Sequence, residues 1–257
     1  MTPTTHIATA TADDIQVRGK SVVHDLMGKV GFTQAMCWQI LGRELPPGPI
    51  AVVDACLVAL LEHGLTPSAL ATRLVYTSAP EAMQGAVAAG LLGVGSLFVG
   101  TVEGCAKLLA RMVAAENPEV EARRIVEEYR SEKRSLPGFG HPVHVPDDPR
   151  TPRLLALARE HGVAGRHVAA VEMLSAALDR ALGRHVTINA TGAVAAALAD
   201  CGVPVAIMRG FALIARCAGL VGHVHEEQQR PAMRAIWEAG ERAVPYEPSA
   251  SPGEDEP

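Results

Sequence analysis

The segment 135–150, SLPGFGHPVHVPDDPR, concentrates side chains that titrate or bind anions. His141 can exchange a proton near neutral pH, and Arg150 offers a planar guanidinium that matches a carboxylate. Four prolines and two glycines predict an ordered loop rather than a helix. The residues alone leave three alternatives: a surface turn, a weak HxxH metal pair of His141 with His144, or the wall of a substrate pocket. Arg150 also has a local alternative, an ion pair with Asp147 or Asp148.

Three more side chains lie where their types are unexpected. Arg216 interrupts the apolar run FALIARCAGLVG, and a buried guanidinium needs an anionic partner. His63 ends an apolar segment, where capping of a helix C-terminus competes with ligand binding. Arg230 follows EEQQ, and simple solvation is its alternative. No metal is predicted, because a zinc site needs three or four converging ligands.

The elements that position these residues are predicted to be helices. The chain is 48% hydrophobic but only 4% aromatic, so its core is built from Ala, Leu, Val and Ile in long segments that favour helix over sheet. We expect an all-α protein of ten or more helices, among them Asp25–Leu41, Ala82–Phe98 and Asn117–Lys133. Residues 1–12 and the acidic, proline-rich tail 246–257 are predicted to be disordered.

Charge and cysteine content narrow the class of protein. The net charge of −5 and the lack of a basic stripe argue against nucleic acid. Five scattered cysteines without a CxxC pair indicate reduced thiols, and no signal peptide opens the chain, so we expect a cytoplasmic protein. The uncharged segment Ala82–Val102 is long enough for a membrane span, but its five glycines favour a buried helix, and no membrane partner is predicted.

Five segments together resemble the citrate synthase superfamily from about residue 15 to residue 235. PGFGHPVHVPDDPR is similar to the GxGHxVxxxxDPR motif, and LVALLEHGLTPSA to the HADHGxNAS segment. GLLGVGSLFVGTVEGCAKLL resembles GLxxLxGPxHGGAxE, and INATG resembles NVDxxxG. FALIARCAGLVGHVHEEQQRPAMR is similar to the terminal FxxxRxxGWxAHxxEQ…RP segment.

The resemblance implies an all-α, citrate synthase-like architecture, usually a homodimer. It predicts a large helical domain from 13–100 and 202–245, a smaller inserted helical domain from 101–201, and an active site in the cleft between them. It also implies small-molecule partners, an acyl-CoA and a dicarboxylate, and no tightly bound cofactor beyond a coenzyme A thioester as substrate or product.

The same resemblance assigns roles to individual residues. Four of them would line an oxaloacetate-like pocket: His63, His141, Arg150 and Arg216. Arg230 would reach that pocket from the partner subunit, and Asn189 would also contact substrate. The acyl-CoA would lie against the loop residues Gly138, Phe139 and Gly140, with His144 on the CoA side.

Two positions depart from citrate synthases and indicate the branch. Phe98 stands where synthases carry a catalytic histidine and where citryl-CoA lyases carry Phe, so the resemblance favours a lyase that cleaves citryl-CoA to acetyl-CoA and oxaloacetate. Thr191 occupies the position at which the family carries its catalytic aspartate. A hydroxyl is a poor proton shuttle near neutral pH. The alternatives are therefore another substrate, such as citramalyl-CoA, or a non-catalytic dicarboxylate-binding homologue.

Overall fold

The computed structural model describes residues 2–248, so most of the tail predicted to be disordered, residues 249–257, lies outside it. Near the N-terminus, strands β1 (Ala8–Ala10), β2 (Ile15–Val17) and β3 (Lys20–Ser21) form an antiparallel sheet. Arg18 and Gly19 both have positive φ, as a two-residue hairpin turn between β2 and β3 requires. Residues 8–10, which the sequence predicts to be disordered, therefore form a strand, because β2 supplies partners for their backbone groups.

Helices make up most of the rest of the described chain, in agreement with the predicted all-α class. The eleven α-helices are α1 (Phe32–Leu41), α2 (Pro47–Leu60), α3 (Pro67–Ser78), α4 (Met83–Leu92), α5 (Thr101–Ala114), α6 (Pro118–Ser131), α7 (Arg150–Glu160), α8 (Arg166–Leu182), α9 (Ala190–Asp200), α10 (Met208–Gln229) and α11 (Met233–Ala243). Helix α6 begins as predicted, because Asn117 accepts hydrogen bonds from the backbone N–H groups of Glu119 and Val120 and Pro118 takes the first helical position.

Two predicted helices are shorter than expected. Helix α1 begins at Phe32 and not at Asp25, because a π-helical turn at Val22–Leu26 is followed by Gly28 in a left-handed conformation. Helix α4 ends at Leu92 and not at Phe98, since three glycines fall within residues 93–100 and the chain turns there. The membrane alternative at Ala82–Val102 therefore lacks a continuous helix.

Helix α10 continues past Gly222 and ends at Gln229, two residues before Pro231. Together with the short turn before it, Val205–Gln229 is the one helix among residues 2–248 that is long and apolar enough to cross a membrane. Length and composition are weak evidence for a span, because a buried helix of a water-soluble protein meets the same criteria. Arg216 lies within this helix.

The chain divides into two compact units. The first contains the residues up to His63 and Val94–Arg216, and its core surrounds α9, where residues 193–198 are fully buried. The second contains Gly64–Gly93 and the residues from Cys217 onward, with a smaller apolar core of Ala69, Ala86, Val87, Leu220 and Val224. These divisions describe contacts within the chain, and the predicted assignment of large and inserted domains stays a prediction.

Candidate active site

Three histidine rings meet in the first unit. His63 follows helix α2, while His141 and His144 lie in the loop between α6 and α7. The ring centroids of His63 and His141 are 5.2 Å apart, and those of His141 and His144 are stacked at 4.3 Å. The Nε2 atoms of His63 and His144 are 3.4 Å apart. The structure thus brings together His63 and His141 and adds His144, which the sequence assigns to the CoA side.

Backbone hydrogen bonds fix the proton position on His141. Its Nδ1 accepts from the N–H of Val143 at 3.1 Å and from the N–H of His144 at 2.9 Å. A nitrogen that accepts two N–H groups carries no proton, so the neutral ring holds its proton on Nε2. His141 is therefore built to donate a hydrogen bond from Nε2 to an oxygen.

This tautomer also bears on metal binding. One nitrogen from each of the three histidines lies within 4.8 Å of the others, a spacing that invites comparison with a zinc site. A metal-bound Nε2 would require the proton of His141 on Nδ1, which faces two backbone N–H groups. His63 and His144 alone give two ligands, fewer than the three that zinc sites use. The donor set favours an oxygen ligand over a metal ion.

Arg150 is held by a buried carboxylate. Its Nε and Nη2 donate to the two oxygens of Asp148 at 3.0 and 2.8 Å, and Nη1 donates to the carbonyl of Ala59 at 3.3 Å. Asp148 is fully buried and also accepts from the N–H of Ala190. Although burial opposes its charge, Arg150 and these N–H groups lower the pKa of Asp148 to about 2. The local ion pair orients Arg150 and leaves two of its five N–H groups for a ligand.

Arg216 is buried without full compensation. Its side chain is 6% exposed, and its Nε and Nη1 atoms have no hydrogen-bond partner. The nearest carboxylate oxygen, Oε1 of Glu62, is 3.8 Å from Nη1, and the same oxygen accepts from the backbone N–H of His63 at 2.7 Å. Because a buried guanidinium is costly without acceptors, this geometry indicates a place for an anion.

The electrostatics favour the neutral forms of His63 and His141. Burial, then the charge of Arg150, then His144 and Arg216 lower the pKa of His63. Burial and His144 lower the pKa of His141, against the opposing charge of Asp148. At neutral pH the imidazoles of His63 and His141 are therefore neutral and lie beside two guanidiniums, which suits a carboxylate ligand with a polarisable oxygen.

The loop that carries His141 is joined to the start of α9 by backbone contacts. Gly140 donates its N–H to the carbonyl of Thr187 at 2.8 Å, and Asn189 donates its own to the carbonyl of Gly138 at 3.0 Å. The side-chain amide of Asn189 donates to the carbonyl of Gly140 at 2.9 Å, while its Oδ1 caps α9. Phe139 is buried in the core, so the loop meets any ligand through its backbone and its glycines.

Two glycines in this contact exclude side chains. A Cβ on Gly138 would lie 2.7 Å from Sγ of Cys105 and 2.9 Å from Cα of Gly192. A Cβ on Gly192 would lie 2.5 Å from the carbonyl oxygen of Gly138. Gly138 also has a φ of +86°, which L-residues rarely adopt. The loop and α9 therefore approach too closely for a side chain at either glycine.

Thr191 lies in a network of hydroxyls at the second position of α9. Its Oγ1 is 2.6 Å from Oδ1 of Asn189 and 2.8 Å from Oγ1 of Thr101, which in turn is 2.6 Å from the carbonyl of Phe98. Two hydroxyl protons are available for these three oxygen–oxygen contacts, so at most two of the contacts are hydrogen bonds at one time. The hydroxyl of Thr191 is in contact with other oxygens and, with the high pKa of an alcohol, is a poor proton donor near neutral pH.

The remaining predicted residues are more exposed. The side chain of Phe98 is 57% exposed in the turn between α4 and α5. Arg230 is exposed in the second unit, just after α10, where its N–H donates to the carbonyl of Glu226 at 2.7 Å. The prediction that Arg230 acts across a subunit interface stays a prediction.

Sequence reasoning missed the two carboxylates of the site. Asp148 entered only as an alternative partner of Arg150, and Glu62 did not enter at all. The signal for Asp148 was present, because an aspartate two residues before an arginine at a helix start can pair with it. Glu62 gave no signal apart from standing next to His63.

Comparison with known proteins agrees with this picture. The model of the family "Citrate synthase, C-terminal domain" matches residues 4–237. Citryl-CoA lyase from Hydrogenobacter thermophilus is similar with a TM-score of 0.86 and 30% identity, over 99% of this chain and 97% of that one. Methanosaeta concilii ATP citrate lyase, solved as an aspartate-to-alanine mutant in complex with (3S)-citryl-CoA, shares the fold at a TM-score of 0.79 and 18% identity, over 98% of this chain and 42% of that one.

A sequence relative extends the comparison. ATP-citrate synthase beta chain protein 1 of Arabidopsis thaliana is 24% identical over 260 residues, which cover 91% of this chain and 41% of that protein. The chain spans half or less of the length of the curated relatives it matches. The all-helical fold, the loop motif around His141 and the match over residues 4–237 lead to one assignment: the chain belongs to the citrate synthase family.

Proposed function

We propose that the protein is a citryl-CoA lyase-like enzyme, which cleaves a 2-hydroxyacyl-CoA to an acyl-CoA and an oxo acid. Citryl-CoA, giving acetyl-CoA and oxaloacetate, is the substrate we favour. The observation that carries this proposal is the buried Arg216, whose Nε and Nη1 atoms lack acceptors that a substrate carboxylate would supply. The similarity to citryl-CoA lyase supports the choice of a lyase over a synthase.

In this proposal the guanidiniums bind the oxo-acid half. Arg216 and the two remaining N–H groups of Arg150 hold its carboxylates, and Arg230 adds a third contact from a second copy of the chain. The Nε2–H of His141 donates to the oxygen that changes from hydroxyl to carbonyl, because its tautomer makes it a donor and not a base. We assign to His63 the acceptance of the hydroxyl proton.

The acyl-CoA half meets the glycine loop and the start of α9. As the carbon–carbon bond breaks, its electron pair moves to the acyl carbon and forms an enolate that the thioester stabilises. That carbon then needs one proton. Because the hydroxyl of Thr191 cannot supply it efficiently, water delivers the proton and the reaction is slow.

The test compares wild type with Thr191→Asp and Thr191→Asn in an assay of acetyl-CoA and oxaloacetate release from citryl-CoA. An aspartate at the second position of α9 suits the helix dipole, so it should fold. We expect it to raise the rate roughly 10²- to 10⁴-fold, the usual contribution of a general acid or base, whereas asparagine should not.

A second candidate function rests on Thr191 itself. If the missing carboxylate abolishes turnover, the protein is a dicarboxylate-binding homologue. Thermal stabilisation by oxaloacetate without turnover of citryl-CoA, citramalyl-CoA or other hydroxyacyl-CoAs would favour this binder. Turnover of citramalyl-CoA alone would change the substrate. Absence of both turnover and stabilisation would contradict the proposed function.

A further inference from the structure

A buried carboxylate links three elements of the second unit. Glu227, near the end of α10, is 4% exposed. Its Oε2 accepts from Nη1 of Arg73 on α3 at 2.6 Å. Its Oε1 accepts from the backbone N–H groups of Ala232 and Met233 at 2.8 and 2.9 Å, at the start of α11. One side chain therefore joins α3, α10 and α11.

The partners of Glu227 keep it charged. Although burial raises its pKa, the N–H of Met233, the guanidinium of Arg73 and the N–H of Ala232 outweigh that effect and lower it. Arg73 is itself held on the other side, since its Nε donates to Nδ1 of His223 at 3.0 Å and its Nη2 pairs with Glu226. A carboxylate bound in this way is a fixed point for the backbone that it accepts from.

The backbone fixed by Glu227 is the turn that carries Arg230. Before the turn, the N–H of Arg230 donates to the carbonyl of Glu226, and after it the N–H groups of Ala232 and Met233 donate to Glu227. Arg230 thus lies between two anchored points, with only Pro231 between it and the second. Proline has a fixed φ, so the turn has little freedom left.

We propose that Glu227 is the positioning residue for Arg230, and that it acts by anchoring the turn 230–233 to Arg73. The inference rests on the proposed function, in which Arg230 binds a carboxylate of the substrate. Glu227 touches no substrate in this scheme. It sets where the exposed guanidinium of Arg230 stands before a ligand arrives, which lowers the entropy lost on binding.

The test is a double-mutant cycle on oxaloacetate affinity, measured calorimetrically with wild type, Glu227→Gln, Arg230→Ala and the double variant. We expect Glu227→Gln to weaken binding roughly tenfold, which corresponds to 1.4 kcal/mol. In the Arg230→Ala background the same change should have no further effect, because the residue it positions is absent. A purely structural role would give additive losses and would overturn the proposal, as would unchanged affinity in Arg230→Ala.

A control variant and a second measurement separate the anchoring effect from a general loss of structure. Glu238→Gln, the same change at a half-exposed position of α11, should leave affinity unchanged. Amide hydrogen exchange at Ala232 and Met233 should speed up in Glu227→Gln, and unchanged exchange there would overturn the anchoring step. If Glu227→Gln fails to fold, Glu227→Asp replaces it, because a carboxylate one methylene shorter cannot reach both Arg73 and the two N–H groups. If wild type binds no oxaloacetate, the proposed function fails while the exchange result still decides the anchoring.

Discussion

Two arginines are both buried but differ in their hydrogen-bond partners. Arg73 lies in the second unit and Arg216 in the first. Both residues are 5% exposed or less. All three guanidinium nitrogens of Arg73 have a partner, in His223, Glu226 and Glu227. For Arg216, Nε and Nη1 have none, and the nearest carboxylate oxygen is 3.8 Å away.

We interpret this difference as one between an arginine with a structural role, Arg73, and an arginine that can bind a ligand, Arg216. Burying a guanidinium is costly in either place, and at Arg73 the protein offsets that cost with its own acceptors. At Arg216 the protein leaves two nitrogens without acceptors. An anion that binds there would accept hydrogen bonds from them, and these bonds would favour binding. Burial alone thus predicts no function, and the satisfaction of each donor is the informative quantity.

The largest expected effect is on stability at Arg73. Arg73→Met leaves Glu227 buried without its cation, so we expect the free energy of unfolding to fall by about 3–5 kcal/mol. Urea denaturation measures it. The matched control is Arg111→Met, which removes a half-exposed ion-paired arginine and should cost about 1 kcal/mol or less. Equal losses in the two variants would contradict the distinction.

The next effect is on binding at Arg216. Arg216→Met removes a charge that the fold does not satisfy, so stability should stay constant or rise, whereas oxaloacetate affinity should fall by about 2–5 kcal/mol, roughly 30-fold or more. Calorimetry and thermal shift measure the two quantities. Arg216→Lys keeps the charge but lacks the planar guanidinium. Its affinity for oxaloacetate should therefore lie between the affinities of wild type and Arg216→Met. An Arg216→Met protein that unfolds readily yet still binds oxaloacetate would reverse the assignment.

The smallest expected effect is the acid dependence of the ion pair between Asp148 and Arg150. Arg150 is intermediate between the two buried arginines, because part of its guanidinium has a partner within the protein. The folded pKa of its partner Asp148 is about 2, below the ordinary value of 3.8. The ion pair therefore stabilises the fold above about pH 4, and this stabilisation is lost as the pH falls through about 2. Asp148→Asn should cost about 2 kcal/mol at neutral pH, at 1.36 kcal/mol per pKa unit, and should lack that acid-dependent loss.

Unfolding curves between pH 2 and 7 measure this dependence. The neighbouring Asp147→Asn is the control, because the Asp147 side chain is mostly exposed and should change stability little. The same acid slope in wild type and Asp148→Asn would show that another carboxylate is responsible.

Local chemistry explains what the sequence predicts well. Asn117 and Pro118 specify the start of α6, and the charge of Arg216 in an apolar run predicts a need for an anion before any partner is known. The start of α1 and the end of α4 were missed, because Gly28 interrupts the chain before α1 and Gly93 caps α4, where the apolar spacing alone would continue each helix. Strand β1 was missed because three small polar or apolar residues carry little signal without their partner strand.

Contacts between distant residues were beyond sequence reasoning. His63 and His144 are 81 positions apart, and nothing in either segment indicates that their Nε2 atoms meet. The tautomer of His141 depends on two N–H groups whose direction is a property of the folded loop. The sequence motifs predicted the fold class and the family. The proton position on His141 and the buried carboxylates could be identified only from the three-dimensional structure.

The contact between Gly138 and Gly192 has a consequence for how such a site can evolve. Because neither position has room for a methyl group, the distance between the histidine loop and α9 is set by main-chain atoms. Thr191 lies one residue from this contact, yet its side chain contributes nothing to it. Under the proposed function, exchanging a carboxylate for a hydroxyl at 191 therefore changes the proton transfer, while the distance between the loop and α9 stays the same. With the main-chain contact between Gly138 and Gly192 unchanged, single substitutions at neighbouring positions could remove, restore or change an activity during evolution.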